Sequence, residues 1–213
     1  EQALFIEGIC DTGEIITDII AYRDSEISNV TMNRNAGMST STMRSYPIYS
    51  MDINDDGIIE VPRIDESKLA GDANYRIFDW YAYNSDSARE RVMQTYHNYS
   101  DGWYFIMPTE WYGQVTIQKS GMSSNSSAVY FYLDASDSSG YGDPRNCLMT
   151  IYTYTGNNRE EKASDKVILA SSSSAVYALE TGMSKDDWMY ALDEYGIAAN
   201  FRIIYSEWDT GIV

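Results

Sequence analysis

The chain has 213 residues, of which 44% are hydrophobic and 14% aromatic, so it is long and apolar enough to bury a core. Lys and Arg number 15 against 32 Asp and Glu, which gives a formal net charge of −17. Such a surface repels phosphate backbones and anionic lipids, and the composition therefore argues against nucleic-acid binding and against a membrane-surface role. No apolar run reaches the roughly 20 residues that span a bilayer, so no membrane span is expected.

Residues 1–70 are expected to form an antiparallel β meander with turn signals between its strands. The predicted strands are 3–9, 14–22, the hairpin YRDSEISNVT with Asp24 and Ser25 at its tip, 44–54 and GIIEVPRI at 57–64. So few short strands bury too little apolar surface to be stable alone, and this domain is expected to depend on its neighbours. The aliphatic residues expected on its buried faces are Ile15, Ile19, Ile48 and Ile59.

Residues 75–213 are expected to form an α+β domain, in which an antiparallel sheet packs with one main helix. The polar segment 65–74 is the best linker candidate between the two domains. The strands predicted after the linker are 75–84, WYFIMP, QVTIQKS, 126–134, 147–156, the start of KVILASSSSAVYALE and ANFRIIYSEW. Between the first two of them, SARERVMQTYHNYSDG predicts a helical turn followed by a loop.

The main helix is predicted over residues 184–195. Ser184 is a suitable N-cap, and the acidic residues after it favour the positive end of the helix dipole. Apolar side chains from Trp188 to Tyr195 recur at helical spacing, and Gly196 provides a C-terminal stop. This helix would give the second domain its helical component.

The stretch MDINDDGIIEVP, residues 51–62, crowds like charges around a single glycine, which is unfavourable unless a cation lies among them. Oxygen-bearing side chains alternate along the first half of the loop, and such alternate side chains converge on one point in a tight loop. Gly57 permits the left-handed turn that brings the next carbonyl round as a further ligand. The predicted calcium ligands are the side chains of Asp52, Asn54, Asp56 and Glu60 and the carbonyl of Ile58. The alternative is an acidic surface turn without a metal.

The loop does not fit an EF-hand, which requires a bidentate Glu at the twelfth position and a helix on each side. Here the twelfth position is Arg63, and Pro47 and Pro62 flank the loop. Its nine-residue form, DINDDGIIE, resembles the calcium loops of FG-GAP (integrin-α-like) and VCBS repeat proteins, where the loop joins strands of a β-propeller blade. The resemblance implies a propeller-blade-like N-terminal part with structural calcium. Glu60 departs from the family, which has Asp at that position.

The later stretch DGWYFIMPTEWYGQVTI, followed by aromatic strands and a late helix, resembles the opening of PsbP-like α/β/α domains. Such domains are typically non-enzymatic adaptors or accessory subunits. Propeller-like blades leading into a domain of this kind also resemble uncharacterised surface lipoproteins of Gram-positive bacteria. The resemblance implies an extracellular or cell-surface protein, lipid-anchored through an upstream segment, and the absence of an initiator Met at Glu1 agrees with that expectation. The expected partners are upstream domains of the same polypeptide and a glycan, peptide or protein.

No motif in the sequence indicates catalysis. The one histidine, His97, lies in a Tyr-rich segment without a nucleophile elbow, and it is expected to be a loop residue that bonds a backbone group. Glycine-rich phosphate loops are absent from the sequence as well. Cys10 and Cys147 lie outside any CxxC motif. Two free, buried or half-buried thiols are the favoured interpretation, and a disulfide is the alternative in an oxidising compartment.

Two acids beside tryptophans give an alternative function. Glu110 precedes Trp111 and Asp79 precedes Trp80, as in a sugar-cleaving site with aromatic platforms near a carboxylate pair. With 32 acids, 5 Trp and 19 Tyr, such adjacency is also expected by chance. The sequence therefore favours a non-enzymatic, calcium-stabilised extracellular binding or structural protein, and a secreted glycoside hydrolase is the alternative.

Overall fold

A computed structural model describes residues 2–23, 25–45, 48–64, 77–84, 88–134 and 143–204. Strands account for 51% of the described residues, the described strand pairings are antiparallel and the described helices are short, which confirms the expected β-rich architecture with few helices. Within the described ranges no helix combines the length and apolarity needed to cross a bilayer. The chain divides into two compact units, one of Glu1–Ala70, Arg76–Gly102 and Ile204–Val213 and the other of Gly71–Tyr75 and Trp103–Ile203. The predicted linker, residues 65–74, lies outside the described residues.

The first unit contains a three-stranded sheet in the order β1 (Ala3–Ile9), β2 (Ile15–Arg23) and β3 (Glu26–Asn29). The predicted strand 3–9 and the hairpin are confirmed; Ser25 turns the hairpin with a φ of 67°, and Asp24 lies outside the described residues. β2 buries alternate side chains, because only one face of the strand is covered. The buried residues of this face are Ile15, Thr17, Ile19 and Ala21.

Three further strands of the first unit pair in sequence order: β4 (Val61–Ile64), β5 (Ile77–Tyr83) and β6 (Arg89–Asn98). The sequence placed β4 in the N-terminal meander and β5 in the second domain, whereas the two strands pair with each other. The helical turn predicted early in 87–102 is wrong, because residues 89–98 pair with β5, Arg89 opposite Tyr83 and Tyr96 opposite Ile77, and the chain leaves the strand only at the turn of residues 99–102. Cross-strand contacts of this kind override a weak local preference.

In the second unit, β7 (Trp103–Ile106) pairs with the last described strand, and five other strands form a sheet. The five are β8 (Val115–Ser123), β9 (Ser126–Leu133), β10 (Cys147–Thr155), β11 (Val167–Ser171) and β12 (Ala175–Thr181), in the spatial order β11-β12-β10-β9-β8. The remaining elements are α1 (Arg159–Lys162), α2 (Glu194–Asn200) and β13 (Phe201–Ile203). Aromatic rings fill the core, where Trp111 donates from Nε1 to the carbonyl of Tyr190 at 2.8 Å and lies 5.9 Å from the ring of Phe105.

The helix predicted over 184–195 is wrong. Residues 184–193 form turns, and α2 begins where the predicted helix ends. The amide and the hydroxyl of Ser184 both donate to the carboxylate of Asp187, at 2.9 and 2.7 Å, and such local bonding competes with helical geometry. Asp193 caps α2 by accepting from the amide of Gly196 at 2.8 Å, so the predicted stop residue lies inside the first turn.

Gly182, directly after β12, lies too close to the backbone of β10 to carry a side chain. Its amide donates to the carbonyl of Leu148 at 3.0 Å, and an added Cβ would overlap the carbonyl oxygen of Cys147. That carbonyl accepts from the amide of Met183 at 2.7 Å and cannot easily move aside. We expect Gly182→Ala to lower the free energy of unfolding by about 1–3 kcal/mol in urea denaturation. Gly121→Ala is the control, since nothing lies within 4 Å of a Cβ there; equal destabilisation of both variants would contradict the prediction.

Candidate metal centre

The acidic loop of residues 52–60, here called the metal loop, is closed at its base and anchored at both ends. Met51 and Glu60 form an isolated bridge with backbone N···O distances of 3.1 and 2.9 Å. The flanking residues Ile48 and Val61 are fully buried, and Val61 packs in an apolar cluster with residues of β2. The two ends of the loop are therefore fixed, so a structural change within the loop would act on the packed residues at either end.

Backbone amides hold three polar side chains of the metal loop toward its interior. Asp52 accepts from the amides of Asp56 and Gly57, at 3.0 and 2.8 Å. Asn54 accepts from the amide of Asp56 at 3.1 Å, and Asp56 accepts from the amide of Ile58 at 2.8 Å. Gly57 has a φ of 85°, the left-handed conformation predicted for it. Similar bonds occur in Asx turns, so they fit both a metal site and an acidic turn.

Glu60 distinguishes the metal loop from an ordinary acidic turn. The residue is 0% exposed; its Oε2 accepts from the amide of Ile53 at 3.2 Å, and its Oε1 is buried without a hydrogen-bond partner among the described residues. Burial raises the pKa of Glu60 to about 7, and the charges of Asp56 and Asp52 add to the shift while the bond from Ile53 opposes it. A buried carboxylate oxygen without a partner is costly, and a bound cation would supply that partner.

The donor set of the metal loop suits calcium. It consists of three carboxylates, the amide oxygen of Asn54 and the carbonyl of Ile58, and hard cations prefer oxygen ligands. In the part of the chain that the structure describes, no three His, Cys, Asp or Glu side chains lie close enough together to hold a metal ion as they stand. The carboxylates of Asp52, Asp56 and Glu60 would therefore have to move closer together for all three acids to coordinate one ion.

Ile59 does not lie in the core as the sequence predicted. It is 38% exposed, and its neighbour Ile58 is also exposed. β4 begins only at Val61, so strand geometry does not turn Ile59 inward. The other three aliphatic residues predicted to be buried in this part of the chain are buried: Ile15, Ile19 and Ile48.

An ion pair that the sequence patterns did not predict lies directly before the metal loop. Arg44 is buried, and its Nη2 lies 2.6 Å from Oε1 of Glu7. The same oxygen accepts from the amide and the hydroxyl of Ser50, at 2.8 and 2.6 Å, and from the hydroxyl of Thr17 at 2.8 Å. The described residues of the strand predicted at 44–54 make only isolated bridges, at Arg44 and Met51, and the amide of Ser50 donates to this carboxylate instead of to a neighbouring strand.

The sequence feature that could have indicated this ion pair is an acidic residue, Glu7, in an otherwise apolar strand. Glu7 stands opposite Thr17 in the register of β1 and β2, on the buried face of β2. An inward-facing acid needs a buried cation, which Arg44 provides from a segment distant in sequence. Burial lowers the pKa of Arg44, and the charge of Glu7 opposes that effect. Arg44 also donates to the carbonyls of Ile48 and Thr42, so it holds the chain that leads into the metal loop.

The two acids considered for a hydrolytic pair lie in different surroundings. Asp79 is buried in β5, where its Oδ1 lies 3.2 Å from Nη1 of Arg91 and 3.0 Å from Nε2 of Gln94. Glu110 is exposed in a single 3-10 turn. The tryptophans that follow these two acids in the sequence are both fully buried, so their rings do not form a surface on which a sugar could stack.

The histidine and the cysteines have no arrangement typical of a nucleophile. His97 belongs to β6 rather than to the predicted loop, and its Nδ1 lies 3.0 Å from the hydroxyl oxygen of Tyr99. Burial lowers the pKa of His97 to about 3, so the ring is neutral near pH 7. Cys10 and Cys147 are both free and half-buried, which is the interpretation that the sequence favoured. Burial raises the pKa of Cys147 and disfavours its reactive thiolate.

Comparison with known proteins identifies no relative of this chain. No family model, no curated protein and no solved structure matches it. The functional interpretation consequently depends on the geometry and chemistry of the metal loop.

Proposed function

We propose that the chain is a non-enzymatic, extracellular binding or structural module that is stabilised by one calcium ion. The observation that carries the proposal is the buried carboxylate of Glu60, whose Oε1 has no hydrogen-bond partner among the described residues. Its carboxylate bonds to the amide of Ile53 within the metal loop, next to the oxygen donors that calcium prefers. A calcium ion would offset two of the three negative charges of the proposed ligands and satisfy the buried oxygen, and the loop would remain acidic.

The proposed ligands comprise three charged and two neutral groups. Asp52, Asp56 and Glu60 supply the negative charge, and Asn54 and the carbonyl of Ile58 supply neutral oxygens. Calcium takes about six to eight oxygens at about 2.3–2.6 Å, so water would complete its coordination. Magnesium fits less well, because it demands a smaller and stricter octahedron. The role is structural, since the ion would tie together a loop whose two ends enter packed regions.

The proposal extends to the resemblances noted in the sequence. It includes an FG-GAP or VCBS type of calcium loop in a propeller-blade-like N-terminal part, a PsbP-like second part, and a lipid-anchored place on the cell surface. Upstream domains of the same polypeptide are the proposed structural partners. The ion pair of Asp79 with Arg91 supports a non-enzymatic role, because it gives the buried one of the two candidate hydrolytic acids a structural partner.

A calcium titration tests the proposal. After removal of metal with EDTA, calorimetry is expected to show one calcium site, and calcium at about 100 times its dissociation constant is expected to stabilise the fold by about 2.7 kcal/mol. Asp52→Ala and Asp56→Ala should each remove this effect, because each deletes a charged ligand.

Asp55→Asn is the matched control for these variants. Asp55 lies in the same loop, is exposed and is not a proposed ligand, and Asn tolerates its φ of 61°. This variant should keep the calcium effect while losing the same charge. The proposal fails if calcium changes neither the heat signal nor the melting temperature, or if Asp55→Asn removes the effect as fully as Asp52→Ala.

A further inference from the structure

An open apolar groove of about 730 Å³ lies in the first unit beside the metal loop. Its described lining contains no charged side chain. The lining residues with large apolar or aromatic side chains include Leu4, Phe5, Tyr22, Ile27, Ile58 and Tyr83. Leu4 is 60% exposed and Ile27 is 74% exposed, which is an unusual amount of accessible aliphatic surface in one place.

The outer edge of β1 favours an extended chain segment as the occupant of this groove. β1 is the outer strand of its sheet, and no other described strand pairs with its free side. Its sequence, ALFIEGI, contains neither Pro nor Lys, the residues that commonly block pairing at an edge. Its one acid, Glu7, is bonded to the buried Arg44. An extended segment can therefore add to β1 through backbone hydrogen bonds and place alternate side chains in the groove.

Charge determines the chemistry of an occupant. The lining residues Gly57 and Ile58 belong to the acidic metal loop, and Glu26 is exposed next to the lining residue Ile27. The chain as a whole carries a formal charge of −17. Two copies of so acidic a protein repel each other, whereas a segment with basic residues is attracted.

We propose that the edge of β1 and this groove together bind an extended, basic segment of another protein, with apolar side chains at alternate positions, in a calcium-dependent manner. The inference rests on the proposed function, because the metal loop forms one wall of the groove. The carbonyl of Ile58 is a proposed calcium ligand, and its side chain lines the groove. Calcium therefore fixes the position of the wall that the segment contacts.

The test uses the full chain and a short fluorescent peptide of alternating valine and lysine, followed by anisotropy. The peptide is expected to bind about fivefold or more tightly in calcium than in EDTA. A peptide with glutamate in place of lysine should bind at least about tenfold more weakly, and so should one with N-methylated amides, which cannot pair with β1. Leu4→Ser, a change in β1 itself, should weaken binding about tenfold. Ile168→Ser, at an exposed position of β11 in the other unit, should leave binding unchanged.

The outcomes separate this inference from the proposed function. If calorimetry shows the calcium site but the lysine peptide does not bind, the groove inference is overturned and the proposed function stands. If the peptide binds equally in calcium and EDTA and no calcium site is found, the proposed function and the calcium dependence both fail. Equal binding of the lysine and glutamate peptides overturns the basic partner. Concentration-dependent dimerisation in sedimentation, lost in Leu4→Ser, would assign the groove to a second copy and overturn the inference.

Discussion

In calcium-free buffer, Glu60→Gln is expected to be at least as stable as the unmodified protein, and in calcium it is expected to lose the stabilisation that calcium provides. The substitution keeps the size of the side chain and removes a negative charge that is fully buried and lies near Asp52 and Asp56. An amide also retains the oxygen that accepts from Ile53. Without metal, the variant therefore avoids a buried charge; with metal, it lacks a charged ligand.

Thermal unfolding in EDTA and in excess calcium measures both parts of this expectation. The unmodified protein should gain about 2.7 kcal/mol at 100 times the dissociation constant, and Glu60→Gln should gain close to nothing. Glu110→Gln makes the same chemical change at an exposed position and should behave as the unmodified protein does in both buffers. A Glu60→Gln protein that keeps the full calcium gain would show that this carboxylate is not a ligand.

Arg44→Met is expected to destabilise the fold by about 3–5 kcal/mol, because it leaves the charge of Glu7 without its buried partner. The guanidinium lies 2.6 Å from the carboxylate and donates further bonds to the carbonyls of Thr42 and Ile48. The loss should appear as a lower denaturant midpoint in urea at constant calcium. The amide of Ser50 depends on the same carboxylate, so the entrance to the metal loop should loosen as well.

The double variant Glu7→Gln/Arg44→Met separates charge from packing. Removal of both charges should recover part of the lost stability, since no uncompensated ion then remains. Arg145→Met is the surface control, because the pair of Arg145 with Asp143 is also 2.6 Å long but Arg145 is 88% exposed in its side chain. This control should leave the midpoint unchanged. An Arg44→Met midpoint equal to that of Arg145→Met would show that the buried pair contributes little.

Local patterns were sufficient to predict strands and turns whose geometry is encoded within a few residues. β1 was predicted at 3–9, and β9 and β10 were predicted to within a residue, because alternating apolar side chains and flanking turn residues mark them. The left-handed turn at Gly57 was predictable for the same reason, since glycine adopts a positive φ without the steric cost that a side chain adds. These features need no information from distant parts of the chain.

Features that depend on distant partners were not predictable from the sequence. β6 is a strand because β5 pairs with it, although its own residues suggested a helical turn. The helix predicted from Ser184 is replaced by a turn in which the hydroxyl of Ser184 donates to the carboxylate of Asp187. The helix begins instead after Asp193, which is also a suitable N-cap residue. In the candidate site, the sequence indicated the proposed loop ligands but not the burial of Glu60, which is the property on which the proposal of a metal rests.

The pairing of β7 with β13 makes the long segment Trp103–Ile203 begin and end at one point. Trp103 stands opposite Ile203 in the register of this antiparallel pair, so the two backbones are about 4.5–5.5 Å apart there. Formation of this pair closes a stretch of about 100 residues, and the entropic cost of such a closure grows only with the logarithm of its length.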